Sequence, residues 1–409
     1  MSSRYREVYE AWMADPHGFW AEAATAIDWI HPPQRIFDDK AGVYGQWYPD
    51  ATLNACFNCV DRHVRDGRGD QAAIVFDAPL IDFKKTITYA ELLDEVQVLA
   101  AVLQDFGVEK GDRVLVYLPM IPRAHVAMLA CARLGAIHSV VFGGFSAREL
   151  TKRIDDAKPK VILTASCGIE PTRVVAYKPL IDAAIEAAAS KPEAVLVWQR
   201  SKLEAELVPG RDHDWETVVE AAEAAGKCAE CVPVQSTDPL YILYTSGTTG
   251  VPKGVVRDTG GYLVALAWSI GALYGVKPGD TFWTASDVGW VVGHSYNVYG
   301  PLLIGATTIC YEGKPVGTPD AGAFWRVCAE HGATGLFTAP TAFRVIKKED
   351  PEAKFWTQYA PAKMKVLFLA GERADTATVD WASHHMKLPV IDHWWQTETG
   401  WPVAGNPFG

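Results

Sequence analysis

The chain of 409 residues has no excess of basic charge: 38 Lys and Arg stand against 49 Asp and Glu, a formal charge of −11. A polyanion-binding face needs the opposite balance, so nucleic acid and anionic lipid surfaces are not expected partners. It also lacks a long uninterrupted apolar run. The most apolar stretch, Ala124 to Phe145, is broken by Arg133 and His138, and the opening residues carry no apolar leader. A membrane-spanning helix is not expected, and the chain is expected to be cytoplasmic. Fixed-period repeats, low-complexity tracts and long charge runs are missing as well. With 49% hydrophobic residues, the length supports one large core or two to three smaller ones.

Cysteine is sparse, with eight in the chain. Two C-x-x-C pairs, Cys56/Cys59 and Cys228/Cys231, have a spacing that suits zinc or thiol exchange, yet no knuckle accompanies them. Buried, unpaired thiols are the expected state, without a disulfide framework.

Short β-branched or aromatic runs alternate with helical patterns. They are Arg113 to Leu118, His138 to Phe142, Val161 to Ala165, Ala194 to Trp198, Leu240 to Tyr244, Thr281 to Thr284, Thr307 to Tyr311, Gly335 to Thr338, Lys365 to Leu369 and Pro389 to Asp392. This predicts an α/β fold of two βαβ lobes, with mainly parallel sheets covered by helices. The expected divisions are residues 1–85 as an N-terminal extension and cap, 86–235 as a first lobe and 236–409 as a second. One helix is expected from Thr88 as N-cap, with Glu91 three residues on, to Gly107 as its stop. Another starts at Ser146, with Glu149 completing a capping box, and ends before Pro159. The polar stretch Lys202 to Ser236 reads as a helix plus surface loop.

After the strand ending at Tyr244 come Thr245, Ser246, Gly247, Thr248, Thr249 and Gly250, then Val251, Pro252, Lys253 and Gly254. Hydroxyls alternating with glycines let backbone amides close on an anion, and Lys253 adds a point charge for a polyphosphate. A Walker A loop is excluded, because Lys253 is followed by Gly254 rather than Ser or Thr. A flexible turn would explain five or six such residues, but not eleven in succession.

Position for position, this string resembles the signature loop of the adenylate-forming superfamily, which includes acyl-CoA synthetases, peptide-synthetase adenylation domains and luciferases. The resemblance continues at Asp392, His393, Trp394, Trp395, Gln396, Thr397, Glu398, Thr399 and Gly400. It implies that Asp392 to Gln396 wall the adenine, Thr397 meets the α-phosphate and Glu398 holds Mg²⁺. One carboxylate beside hydroxyls is suitable hard-oxygen chemistry for that ion. Ala370, Gly371, Glu372 and Arg373, at a strand end, are implied in adenine stacking. An ordinary strand-end turn explains them equally well, and Arg373 stands where relatives often have Pro.

Ser286 to Tyr296 resembles a stretch of short-chain acyl-CoA synthetases in which an aromatic residue, here Trp290, lies beside the acyl carboxylate. The implied acyl cup is Trp290, Val291, Val292, Ala370 and Trp395. Ala370 is smaller than its counterpart in acetate enzymes, which favours propionate over acetate. Ser166 to Pro179 and Val255 to Gly261 also look more like propionyl-CoA synthetase sequence. Lys253, Thr248, Thr397 and Trp290 are the implied catalytic residues. Arg173 matches an arginine that holds the 3′-phosphate of coenzyme A, and a surface salt bridge serves equally for it. Glu170 and Val316 depart from that site's pattern. His294 is not needed as a base, since a carboxylate is its own nucleophile. Asp287, His384 and His385 read as structural or solvated.

The implied function is activation of a two- or three-carbon acid with ATP to acyl-AMP and transfer to coenzyme A, with ATP, Mg²⁺ and coenzyme A as reaction partners. Alternatives are a carrier-protein-acylating adenylation domain and a non-catalytic nucleotide-binding module. The family also uses a lysine in a mobile C-terminal domain, for which no match precedes Gly409. The expectation is the leading part of a longer polypeptide, impaired in adenylation by itself and fused to further domains.

Overall fold

A computed structural model describes residues 4–245 and 252–408. The chain forms two compact units that interleave along the sequence. One gathers Met1–Ile27, Gln71–Thr88 and Leu263–Gly409, and the other Asp28–Asp70 and Tyr89–Tyr262.

The first unit is built on a seven-stranded sheet. Its spatial order is Val390–Asp392, Val366–Leu369, Ala333–Thr338, Thr281–Thr284, Thr307–Tyr311, Ala72–Ala78 and Phe83–Thr88. All neighbours are parallel except the last pair, which is antiparallel. Strand alternation sorts the central side chains onto two faces. Trp283, Leu336, Leu367 and Leu369 pack on one face with Trp325, Phe343 and Ile346. Phe282, Phe337 and Phe368 turn the other way, around Tyr274 at ring separations of 5.7, 5.6 and 4.7 Å. On the next-to-last strand, buried Asp77 receives both terminal nitrogens of Arg326 at 2.8 Å and lies 2.7 Å from His331 Nε2.

Two helices, Tyr5–Ala14 and Pro16–Ala24, lead this unit. Asp15 caps the second helix by accepting from Gly18 N at 2.9 Å. That helix is fastened by indoles: Trp20 lies 5.9 Å from both Trp268 and Trp401.

The second unit carries another seven-stranded sheet, in the order Asp212–Asp214, Ala194–Trp198, Val161–Ala165, Arg113–Tyr117, Ile137–Val140, Pro239–Thr245 and Lys253–Asp258. Again only the last pairing is antiparallel, Thr245 standing opposite Lys253. Leu115, Ile162, Val195 and Val197 form its core with Leu150, Ile154 and Ile181 from the covering helices. Because both sheets are buried on two faces, their inner strands read as continuous apolar runs.

The expected α/β class with mainly parallel sheets is what the chain adopts, and each expected run lies on a strand. The helix after Thr88 spans Tyr89–Asp105, and Gly107 follows with φ +73°. The helix after Ser146 spans Ala147–Ala157, but its capping box does not form. Ser146 makes no side-chain cap, and Glu149 turns outward to Lys152 at 2.7 Å and Arg153 at 3.0 Å. Two nearby cations outcompete one backbone amide. The antiparallel strands Phe83–Thr88 and Lys253–Asp258 were not expected. They are largely solvent-facing edges, with Lys84, Lys85 and Lys253 exposed, so they carry no apolar period. Among the described residues, no helix is long and apolar enough to cross a membrane.

Candidate active site

In the first unit, the parallel register fixes where the site residues emerge. Thr284 stands beside Phe337, Thr338 beside Leu369, and Leu369 beside Asp392. The segments that follow, with Trp290, with Ala370 and Gly371, and with His393 to Trp395, therefore leave the same carboxyl edge of the sheet. That edge is where open α/β sheets place their ligands.

A cleft of about 1220 Å³ opens there, lined by Gly371, Glu372, Arg373, Asp392, His393, Trp394 and Trp395, with Tyr5, Arg6 and Ala404–Pro407 completing it. Gly371 turns with φ +97°, a backbone state that a side chain would strain. Glu372 is fixed on three sides: it accepts from Thr341 N at 2.9 Å, from the Thr341 hydroxyl, and from Arg344 Nη1 at 3.0 Å. The Thr341 bond comes first among the causes that hold its carboxyl below the usual range. Arg344 also donates to the Arg373 carbonyl at 3.1 Å and to Asp375 at 2.8 Å, which sets the turn's course. Asp392 accepts from Ala374 N at 3.2 Å.

His393 is buried between strand and aromatic core. Its Nδ1 lies 2.6 Å from the Leu369 carbonyl and its Nε2 lies 2.7 Å from the Tyr274 hydroxyl. A carbonyl only accepts, so Nδ1 carries the proton, and in the neutral ring Nε2 accepts from Tyr274. Burial lowers the imidazole to about 4, against the opposing bond to Leu369. The ring is therefore neutral at pH 7. Gly405 packs so closely that an added Cβ would stand 2.6 Å from that of His393.

The two indoles of the pair differ. Trp395 is 8% exposed, with ring contacts to Tyr296 at 5.4 Å and Phe337 at 5.8 Å, whereas Trp394 is 58% exposed at the cleft surface. Ala370 is buried, donating its amide to Thr338 O at 3.2 Å. Trp290 is 47% exposed, Val291 is buried and Val292 is half-buried. The segment Asp287 to His294 is tied down by Gly289 N donating to Asp287 Oδ1 at 2.7 Å and His294 N to Trp290 O at 3.0 Å. Burial raises the Asp287 carboxyl to about 6 and lowers His294 to about 4.

Gln396, Thr397 and Glu398 continue into a turn outside the cleft lining. The Gln396 carbonyl accepts from the Thr399 hydroxyl at 3.0 Å, and Ser295 Oγ donates to Gly400 O at 2.5 Å. Glu398 is exposed on this turn. An exposed carboxylate on a turn fits an ion held mainly by phosphate and water, as Mg²⁺ is, better than a closed protein cage.

The second unit holds the remaining candidates. Thr245 ends its strand and Lys253 opens the antiparallel partner with its side chain exposed. Ser246, Gly247, Thr248, Thr249 and Gly250 lie outside the described residues. Tyr244 donates its hydroxyl to Asp156 Oδ2 at 2.6 Å, anchoring the strand end. Arg173 lies on the hairpin Cys167–Glu170 with Arg173–Ala176. It is 70% exposed and pairs with Glu170 at 2.8 Å, an exposed contact that contributes at most about 1 kcal/mol. Val316 packs against the apolar core of the first unit.

Sequence reasoning did not reach Tyr274, Tyr5, Arg6 or the Thr341–Arg344 buttress. Tyr274 meets His393 across 119 positions, and no local spacing announces such a contact.

Residues 60–408 match the family described as AMP-binding enzyme, and residues 5–59 match the acetyl-coenzyme A synthetase N-terminus. The Homo sapiens protein named acyl-CoA synthetase short-chain family member 3, mitochondrial, is 52% identical over 408 residues, covering all of this chain and 59% of that protein. The propionate–CoA ligases of Salmonella typhimurium and Escherichia coli are 44% and 43% identical over 399 residues, covering 98% of this chain and 63% of each. The chain thus spans about three fifths of the length of these relatives. With a match over residues 60–408 that runs through both units, the chain belongs to the AMP-binding enzyme family.

Proposed function

We propose that the chain activates a short-chain carboxylic acid with ATP, forming acyl-AMP and pyrophosphate, and that the acyl group then passes to coenzyme A. The observation that carries this reading is the cleft at the carboxyl edge, where Gly371 to Arg373 and Asp392 to Trp395 converge. Its volume exceeds the few hundred Å³ that a mononucleotide needs. The relatives' names, short-chain acyl-CoA synthetase and propionate–CoA ligase, support the substrate class.

In this reading Asp392 to Gln396 and Gly371 to Arg373 hold the adenine, and Thr245 to Gly250 with Lys253 hold the phosphates. Thr397 meets the α-phosphate. Trp290, Val291, Val292, Ala370 and Trp395 form the acyl cup, and Arg173 contacts coenzyme A. Mg²⁺ at Glu398 would supply charge neutralisation. The acid's own carboxylate attacks phosphorus, so no protein base is needed, in keeping with two imidazoles that burial holds near 4. Propionate is favoured over acetate because Ala370 leaves room for the extra methyl. Free cysteines throughout support a reducing compartment such as the cytoplasm.

Calorimetry with adenosine 5′-alkylphosphates, uncharged at the acyl position and unable to react, tests the proposal. The propyl ester is expected to bind more tightly than the ethyl or the octyl ester. Failure of all three to bind would overturn the reading. An octyl preference would overturn the short-chain assignment alone.

A further inference from the structure

The two C-x-x-C pairs, which the proposed reaction does not use, meet in space. Cys56 and Cys231 come together at Asp61, with both sulfurs and a carboxylate oxygen within 4.8 Å of one another. The Cys56 thiol lies 3.9 Å from Asp61 Oδ2 and that of Cys231 lies 3.8 Å from the same atom. Of their neighbours in the motifs, Cys59 is fully buried and Cys228 is exposed.

The surrounding backbone holds the two sulfurs in place. Asn54 donates its side-chain amide to Ala132 O at 3.1 Å, Arg133 O at 3.0 Å and Val232 O at 2.9 Å. That one side chain joins the segment before Cys56 to the segment after Cys231. Arg133 adds Nε to Ala229 O at 2.5 Å and Nη1 to both Asp61 oxygens at 2.9 Å.

A metal ion is the poorer occupant. The Arg133 side chain is 1% exposed and its Nη1 lies 3.6 Å from Cys56 Sγ, so a fixed cation already serves the carboxylate and one sulfur. A divalent ion would add like charge beside a guanidinium that has no route to solvent.

We propose that Cys56 and Cys231 form a reversible disulfide, a redox modification site that clamps the segment leading into the strand Pro239–Thr245. The bond needs the two sulfurs, now within 4.8 Å of each other, to close to about 2.05 Å. The oxidant is a low-molecular-weight disulfide. The more accessible Cys231 sulfur, as it gives up its proton, attacks one sulfur of it and forms a mixed disulfide while the first small thiolate leaves; Cys56 then attacks Cys231 Sγ, breaking that mixed disulfide and expelling the second small thiolate, and each departing thiolate takes up the proton one cysteine has lost. In sum, two protein thiols and one small disulfide become one protein disulfide and two small thiols, which carry away both protons. The bond to Cys56, followed by burial, pushes the Cys231 thiol up, so the resting pair is the dithiol. Cys59, with no exposure to solvent, is out of the oxidant's reach.

The chain, treated with oxidised glutathione, blocked with N-ethylmaleimide and digested without reduction, gives the test by fragment-ion mass spectrometry. The expected product links Cys56 to Cys231, is lighter than the two peptides by two hydrogens, and disappears with dithiothreitol. The variants Cys59→Ser and Cys228→Ser retain the link, and Cys56→Ser leaves Cys231 carrying glutathione. A Cys228–Cys231 link, modification confined to Cys228, or one zinc ion per chain protecting both thiols would overturn the proposal.

Discussion

The hydroxyl of Tyr274 lies 2.7 Å from Nε2 of His393, joining the aromatic core of the first unit to the floor of the cleft. Removing that hydroxyl in Tyr274→Phe leaves a buried acceptor unpaired, at a cost of about 1–3 kcal/mol. Urea unfolding is expected to show a lower midpoint with an unchanged slope. An unchanged midpoint would mean that the bond is dispensable.

The same histidine makes a pH prediction. Its imidazole is about 4 when folded against the ordinary 6.5, so between those values the unfolded chain binds the additional proton. Stability therefore rises with pH through that window, by about 3 kcal/mol for this one group. His393→Gln removes the term, so the destabilisation it causes is expected to shrink from pH 7 to pH 4. Measuring the difference between the two proteins cancels His294 and Asp287, which also titrate there. A pH-independent difference would contradict the buried neutral ring.

Gly405→Ala places a Cβ 2.6 Å from that of His393, and neither atom can swing aside. The variant is expected to displace His393 and weaken adenosine 5′-propylphosphate binding at least tenfold in calorimetry. Gly371→Ala meets no atom within 4 Å, so its cost is backbone strain alone, about 1–2 kcal/mol of stability.

Asp77, on the next-to-last strand Ala72–Ala78, is wholly buried under Arg326 and His331. Asp77→Asn takes away the arginine's fully buried partner and leaves it Glu330 at 2.8 Å, and the loss is expected to be about 1–3 kcal/mol. Burial works against its ionisation, but the bonds from His331 and Arg326 prevail and hold it at about 2. Its contribution is therefore present above the ordinary carboxylate value and is lost as pH falls towards 2. Denaturant titration of the variant at pH 7 checks the magnitude.

Within the proposed cup, Ala370→Val adds two buried methyls beside the acyl chain. Each is worth about 1–3 kcal/mol of discrimination, and preference is expected to move from the propyl to the ethyl ester.

Much of this architecture was legible in the chain. Runs such as Val161 to Ala165 and Thr281 to Thr284 are apolar because parallel strands are covered on both faces, and the structure keeps those bounds. Edge strands such as Phe83–Thr88 escaped notice because one face meets water and the other is short. The site was legible where a motif is contiguous, as in Asp392 to Trp395, which does line the cleft. It was opaque where side chains meet across the sheet, as Tyr274 meets His393 and as Arg344 braces Glu372.

Photolabelling with 8-azido-ATP, followed by tryptic mapping, tests most directly whether this cleft is the adenine site. The account predicts label on the peptides Val366 to Arg373 and Leu388 onward, suppressed by adenosine 5′-propylphosphate. Label that is suppressible yet lies outside both peptides would contradict it.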